Sequence, residues 1–66
     1  MVLDNFERGR IFGYVSNNPG VHFNKIKRSL GLLTGTAAYH LSMLEYHGLI
    51  KSEIDGQYRR YHRVPT

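Results

Sequence analysis

The sequence predicts a small α+β domain, mainly helical and closed by a hairpin: three helices with a two- or three-stranded antiparallel sheet. Three observations predict it. Apolar residues recur at helical spacing through most of residues 4–47, interrupted by turn residues at Asn17 to Gly20 and at Gly31. After Gly48 the period changes from about 3.6 to about 2, the change from helix to strand. Asp55-Gly56 then stands between two extended runs, a strong hairpin signal. At 66 residues this is one domain, spanning 1–66. A chain of that size buries only about 60% of its unfolded surface, so a few apolar residues must make the core.

The first helix is expected over about residues 4–17. Asp4 or Asn5 starts it, since a short polar side chain caps free backbone donors. Ile11, Phe12 and Val15 form one apolar face with Arg8 at its edge, and Asn17-Asn18-Pro19-Gly20 stops the helix. Val2, Phe6, Gly9 and Gly13 align on the side away from Ile11. Each internal Gly costs about 1 kcal/mol relative to Ala. That face is either a flat surface for a second helix or a frayed start whose glycines have no consequence. Val21-His22 reads as a short third strand leading into a second helix, about 23–30, with Phe23, Ile26 and Leu30 as its stripe.

Gly31 closes that helix, because Gly readily takes the left-handed conformation. The third helix, about 34–47, carries Ala37, Leu41 and Leu44 at i, i+4 and i+7, with Gly48 as its cap. The hairpin occupies 49–64. A two-residue loop at Asp55-Gly56 pairs Ile54 with Gln57 and Ile50 with Tyr61, which puts the last two on the core side, and Pro65 ends the strand. The expected core is Ile11, Val15, Ile26, Leu30, Leu32, Leu41, Leu44, Leu49 and Ile50.

Two helices joined by a tight Gly-Leu turn make a helix-turn-helix. Between Thr34 and His47 the only formally charged residue is Glu45, whereas a solvated helix face would carry more Lys and Glu. A helix that lies in a groove and touches base edges has this composition. The net charge of +4 and pI near 9.8 favour an anionic partner. Tyr39 is the leading base contact, its ring suited to a thymine methyl and its hydroxyl to a base edge. Ser42 can read a base directly and Ala38 leaves room for a methyl. Thr34 and Thr36 offer hydroxyls near the helix N-terminus, where backbone N–H groups favour anions; with Gly35 they complete the set expected to face the bases. Phosphate contacts are expected from Lys25, Lys27 and Arg28 on the second helix and from Arg59, Arg60 and Arg63, which cluster on the returning strand. His40 is counted with them, although it adjoins the buried stripe and equally suits the core edge.

The stretch GLLTGTAAYHLSMLEYHGLIKSEIDGQYRRYH resembles the recognition helix and wing of winged helix-turn-helix transcription regulators, in particular small prokaryotic ones, archaeal above all, related to the ArsR and MarR groups. The residues that carry the resemblance are Gly31, Leu32, Gly35, Thr36, His40, Leu41, Leu44, Gly48, Leu49 and Ile50, followed by the basic hairpin Lys51 to Arg63. With the preceding helices it covers about residues 11–64. It implies sequence-preferring binding of double-stranded DNA in transcription regulation, with the recognition helix in the major groove and the wing on the backbone or minor groove. If the chain forms a homodimer, the first helix is the expected surface, through Val2, Phe6, Gly9 and Gly13. Relatives often place a capping Ser or Thr where His22 and Leu33 stand, so Thr34 is expected to take over as cap. They also often carry a helix beyond the wing, and this chain is therefore expected to be an excised domain or a partner-dependent module. The alternative is a winged helix used for protein–protein contact within a larger assembly.

Other classes are disfavoured. There are no cysteines, so disulfides and thiolate metal sites are excluded. His40 and His47 are seven apart, too far for a chelating pair, and no acidic ligands complete a metal site. No nucleophile–base pairing or phosphate loop points to an enzyme or a cofactor. No apolar run approaches the ~18 residues of a membrane span, and the N-terminus lacks a secretory signal. The cytoplasm is the expected location.

Overall fold

The computed structural model describes residues 1–65; Thr66, the last residue of the expected domain, lies outside them. Helix α1 spans Phe6–Asn17, after a 3-10 turn at Val2–Asp4. Asn5 decides where it begins: its extended backbone and side-chain oxygen, which accepts from Arg8 N at 2.9 Å, make it the N-cap. Asp4 belongs to the preceding turn. Strand β1, Val21–His22, leads directly into helix α2, Phe23–Leu30. His22 caps α2, with Nδ1 accepting from Lys25 N at 3.3 Å, so an unprotonated imidazole nitrogen does what a Ser or Thr oxygen usually does.

Gly31 sits at φ 66°, ψ 39°, and the chain closes α2 with bonds from Leu32 N to Lys27 O (2.9 Å) and Gly31 N to Arg28 O (3.4 Å). Helix α3, Thr34–Tyr46, ends the same way: Gly48 has φ 75°, and Leu49 N donates to Leu44 O at 2.9 Å. At its start the expectation fails. Leu33 occupies the cap position without a side-chain bond, and Thr34 is the first helical residue, not the cap. Its hydroxyl accepts instead from Lys27 Nζ at 3.1 Å, joining α2 to the first turn of α3.

Strands β2, Ile50–Asp55, and β3, Tyr58–Arg63, form the hairpin, and β1 pairs with the far edge of β3 to give the antiparallel order β1-β3-β2. The turn lies at Gly56-Gln57, one residue beyond the expected Asp55-Gly56. Gly56 supplies its one positive φ, 63°, while Asp55 stays in the strand opposite Tyr58. Ile50 therefore faces Arg63, and Tyr61 faces Ser52. This register differs by two residues from the pairing of Ile50 with Tyr61. An even shift leaves every side chain on its own face, so Ile50 and Tyr61 are both buried.

Ile11 and Val15 of α1, Ile26 of α2, Leu41 and Leu44 of α3, Ile50 and Tyr61 make one buried cluster. Leu30, Leu32 and Leu49, expected inside, pack against it only half-buried; Ala37 and Tyr61 are buried in addition. Leu41 touches this shared cluster from the middle of α3. Leu41→Ala is expected to destabilise the domain by about 2–5 kcal/mol in denaturant titrations; a loss below about half a kcal/mol would mean that α3 is rotated otherwise.

Candidate nucleic-acid interface

Burial of Ala37, His40, Leu41 and Leu44 turns the opposite side of α3 outward. Thr34, Gly35, Ala38, Tyr39 and Ser42 are exposed there and Thr36 is half-buried. Gly35, Tyr39, Ser42 and Tyr46 follow one another at helical spacing, with Tyr39 57% and Tyr46 82% exposed. Leu33, at the N-terminal tip, is 79% exposed. A Cβ built at Gly35 meets no heavy atom within 4 Å, so nothing inside the domain requires glycine at that position.

One flank of α3 is fixed from α1. The Arg8 guanidinium lies 5.7 Å from the centre of the Tyr39 ring, donates from Nε to His40 Nδ1 (3.2 Å) and from Nη1 to Val2 O (3.2 Å). This corrects the expectation for His40. The residue is only 7% exposed, and burial, reinforced by the adjacent Arg8 charge and opposed by Glu7, holds its imidazole below the usual histidine range. A buried neutral ring with its Nδ1 already accepting a bond is not a phosphate contact.

The other flank is basic. Lys25 and Arg28 project from α2 into solvent, while Lys27 is half-buried in its bond to Thr34. Lys27 and Arg28, with His22, Asn24 and Tyr58, line an open groove of about 430 Å³ between α2 and the wing. Arg59, Arg60 and Arg63 all lie on β3, as expected, but strand alternation turns Arg60 to the face opposite Arg59 and Arg63, and each reaches a different partner. Exposed Arg59 donates to Ser52 Oγ at 2.8 Å, and Ser52 donates to Glu45 Oε2 at 3.1 Å, linking the wing to α3. Arg60 bonds Asp55 Oδ2 (2.9 Å) and Gly20 O (2.8 Å) and lies over Tyr58, whose ring stacks on His22 at 4.9 Å. Arg63 lies over Phe12 of α1, 5.5 Å from the ring centre, at the end of β3 away from the turn.

Sequence reasoning missed Arg8, His22 and Tyr58 as parts of this surface. Arg8 and His40 are 32 residues apart, and no spacing rule joins them. The alternation of β3, by contrast, does place Tyr58 and Arg60 on one face.

Residues 5–65 match the family described as HTH_HVO_0163_N, N-terminal HTH domain. The chain belongs to this family. It is 38% identical over 52 residues to the uncharacterized HTH-type transcriptional regulator MJ1398 of Methanocaldococcus jannaschii, a match that covers 79% of this chain and 13% of that protein. The chain thus spans a small part of the curated relative's length. Among solved structures it is similar to a predicted DNA-binding transcriptional regulator from E. coli (TM-score 0.87, 27% identity, 94% of this chain and 65% of that one). It also superimposes on the homodimeric winged helix-turn-helix DNA-binding domain of Mb0332 from Mycobacterium bovis, a possible ArsR-family regulator (TM-score 0.85, 22% identity, 94% and 56%). The fold is the winged helix-turn-helix.

The environment of His40 sets a pH dependence. An unfolded histidine titrates near about 6.5, and the folded His40 titrates lower. Below that unfolded value the unfolded chain binds more protons, so acidification removes stability until the folded group also protonates. Chemical denaturation of wild type and His40→Gln from pH 7.5 down to 5 is expected to show a smaller acid-side loss in the variant. Gln keeps an acceptor for Arg8 but does not titrate. Parallel curves would place the acid sensitivity on another group.

Proposed function

We propose that this domain binds double-stranded DNA as the reading unit of a transcription regulator, with α3 in the major groove and the wing against the backbone or the adjoining minor groove. The observation that carries this reading is the arrangement of charge: an outward helix face without a cation, flanked by exposed Lys25 and Arg28 on one element and Arg59 on another. Phosphates are held from the flanks by Lys25, Arg28 and exposed Arg59, with Lys27, Arg60 and Arg63 secondary because their charged groups already join parts of the fold. Thr34, Gly35, Thr36, Ala38, Tyr39 and Ser42 face the bases. A cytoplasmic location follows from that partner.

Each phosphate contact releases condensed counterions, so log affinity falls with log salt by about 0.9 per contact. Arg28→Ala is expected to weaken all duplexes alike and flatten the slope by about one unit. Tyr39→Ala is expected to leave the slope unchanged and cost roughly 1–3 kcal/mol at preferred sites only. If no duplex binds even at low salt, the protein-interaction module takes the place of this reading.

Two copies can place their recognition helices in successive major grooves about 34 Å apart, and we assign the contact between them to α1. Phe6 is 79% exposed on that helix and Gly13 has open space above it, whereas Val2 packs on the core and Gly9 lies beside Leu3 O. Phe6→Glu is expected to lower the dimer fraction in analytical ultracentrifugation while the melting curve stays cooperative. A dimer unchanged by this substitution uses another surface.

A further inference from the structure

We propose that α3 selects its site through thymine methyl groups, so that the preferred duplex is A·T-biased; this rests on the reading of α3 as the major-groove helix. The chemistry of the outward face leaves few other options. No Lys or Arg occurs between Thr34 and Tyr46, so the bidentate contact to guanine O6 and N7 has no donor on this helix. Its one carboxylate, Glu45, is the natural acceptor for a cytosine amino group, yet it is bonded by Ser52, which is in turn held by Arg59. Beside the hydroxyls of Thr34, Ser42 and Tyr46, which favour no single base, what remains exposed is apolar: Ala38, the Tyr39 ring and, at the tip, Leu33. Apolar side chains of this kind meet the C5 methyl of thymine, the only apolar group on a base edge in the major groove.

Two features prepare the face for close contact. The empty space at Gly35 lets the first turns of α3 approach the groove floor without a side chain between. The Arg8 guanidinium lies over the Tyr39 ring from the α1 side, which reduces the ring's freedom before DNA arrives. The cations flank this face from α2 and the wing, so charge complementarity to phosphate and apolar complementarity to methyl groups occupy separate parts of one surface.

The test uses the full chain. Sites selected from a random duplex pool are expected to be A·T-rich. Replacing thymine by deoxyuridine one position at a time, which deletes only the methyl, is expected to weaken binding about fourfold at each contacted position, the transfer free energy of one buried carbon written as a ratio. The salt slope should not change. Placing 5-methylcytosine in a G·C variant should recover part of the loss. In Leu33→Ser and Tyr39→Ala, both at exposed positions, the difference between thymine and deoxyuridine should shrink. Equal affinity for thymine and deoxyuridine duplexes overturns the proposal. So does a G·C-rich selected site. An A·T bias indifferent to deoxyuridine assigns selectivity to groove shape read by the wing and also overturns it, leaving DNA binding intact. Failure to bind any duplex removes both readings together.

Discussion

The orientation of α3 about its own axis governs everything else in this molecule. Leu41 and Leu44 enter a single cluster with Ile11, Val15, Ile26, Ile50 and Tyr61, so the same two leucines hold α1, α2 and the hairpin. A chain of this size has no second core to take over that role. With about 100° between successive residues, fixing those leucines inward fixes Gly35, Tyr39, Ser42 and Tyr46 outward. Rotating the helix by one residue toward Ser42 would bury Ser42 and turn the leucines out of the core. Hydrophobic packing alone is non-directional, and directional contacts come from Arg8, which bonds His40 on the flank of α3 and Val2 O in the N-terminal turn, from Lys27 to Thr34 and from Ser52 to Glu45.

The helices and the strands were legible because their signals are local. The inner stripes of α2 and α3 lie at 3 and 4 spacing, and the glycines that close both helices adopt the positive φ that their positions suggested. The hairpin was legible in its faces but not in its register. Asp-Gly and Gly-Gln each offer one glycine to a tight turn, so the sequence of the turn alone does not choose between the two registers. The cap on α2 was missed for a chemical reason: imidazole is a good acceptor when Nδ1 is unprotonated, a property that cap preferences average away.

The candidate surface was legible where it depends on helix periodicity and illegible where side chains reach across the fold. Exposure of Thr34, Gly35, Ala38, Tyr39 and Ser42 follows from the inner stripe alone. The partners of the arginines do not. Arg8, Arg60 and Arg63 each settle against a group distant in sequence, and composition cannot distinguish such a guanidinium from one facing solvent.

That distinction bears on binding strength. The net charge of +4 does not by itself give the number of phosphate contacts, because Arg60 is tied to Asp55 and Gly20, Arg63 rests on Phe12, and Lys27 bridges α2 to α3. These contacts tie the wing to the helices at both ends: Arg63 rests on α1 at its base, and Tyr58, next to the Gly56-Gln57 turn, stacks on His22 at the start of α2. Stiffness lowers the ordering cost of docking, but it removes cations from the set free to meet phosphate. With few exposed cations per copy, non-specific affinity is modest for one domain and its salt dependence is shallow. Joining two copies makes the second docking event intramolecular, raising affinity without any new contact to DNA. On the proposed reading, a surface that pairs copies of this domain therefore matters as much to binding as any single residue of α3.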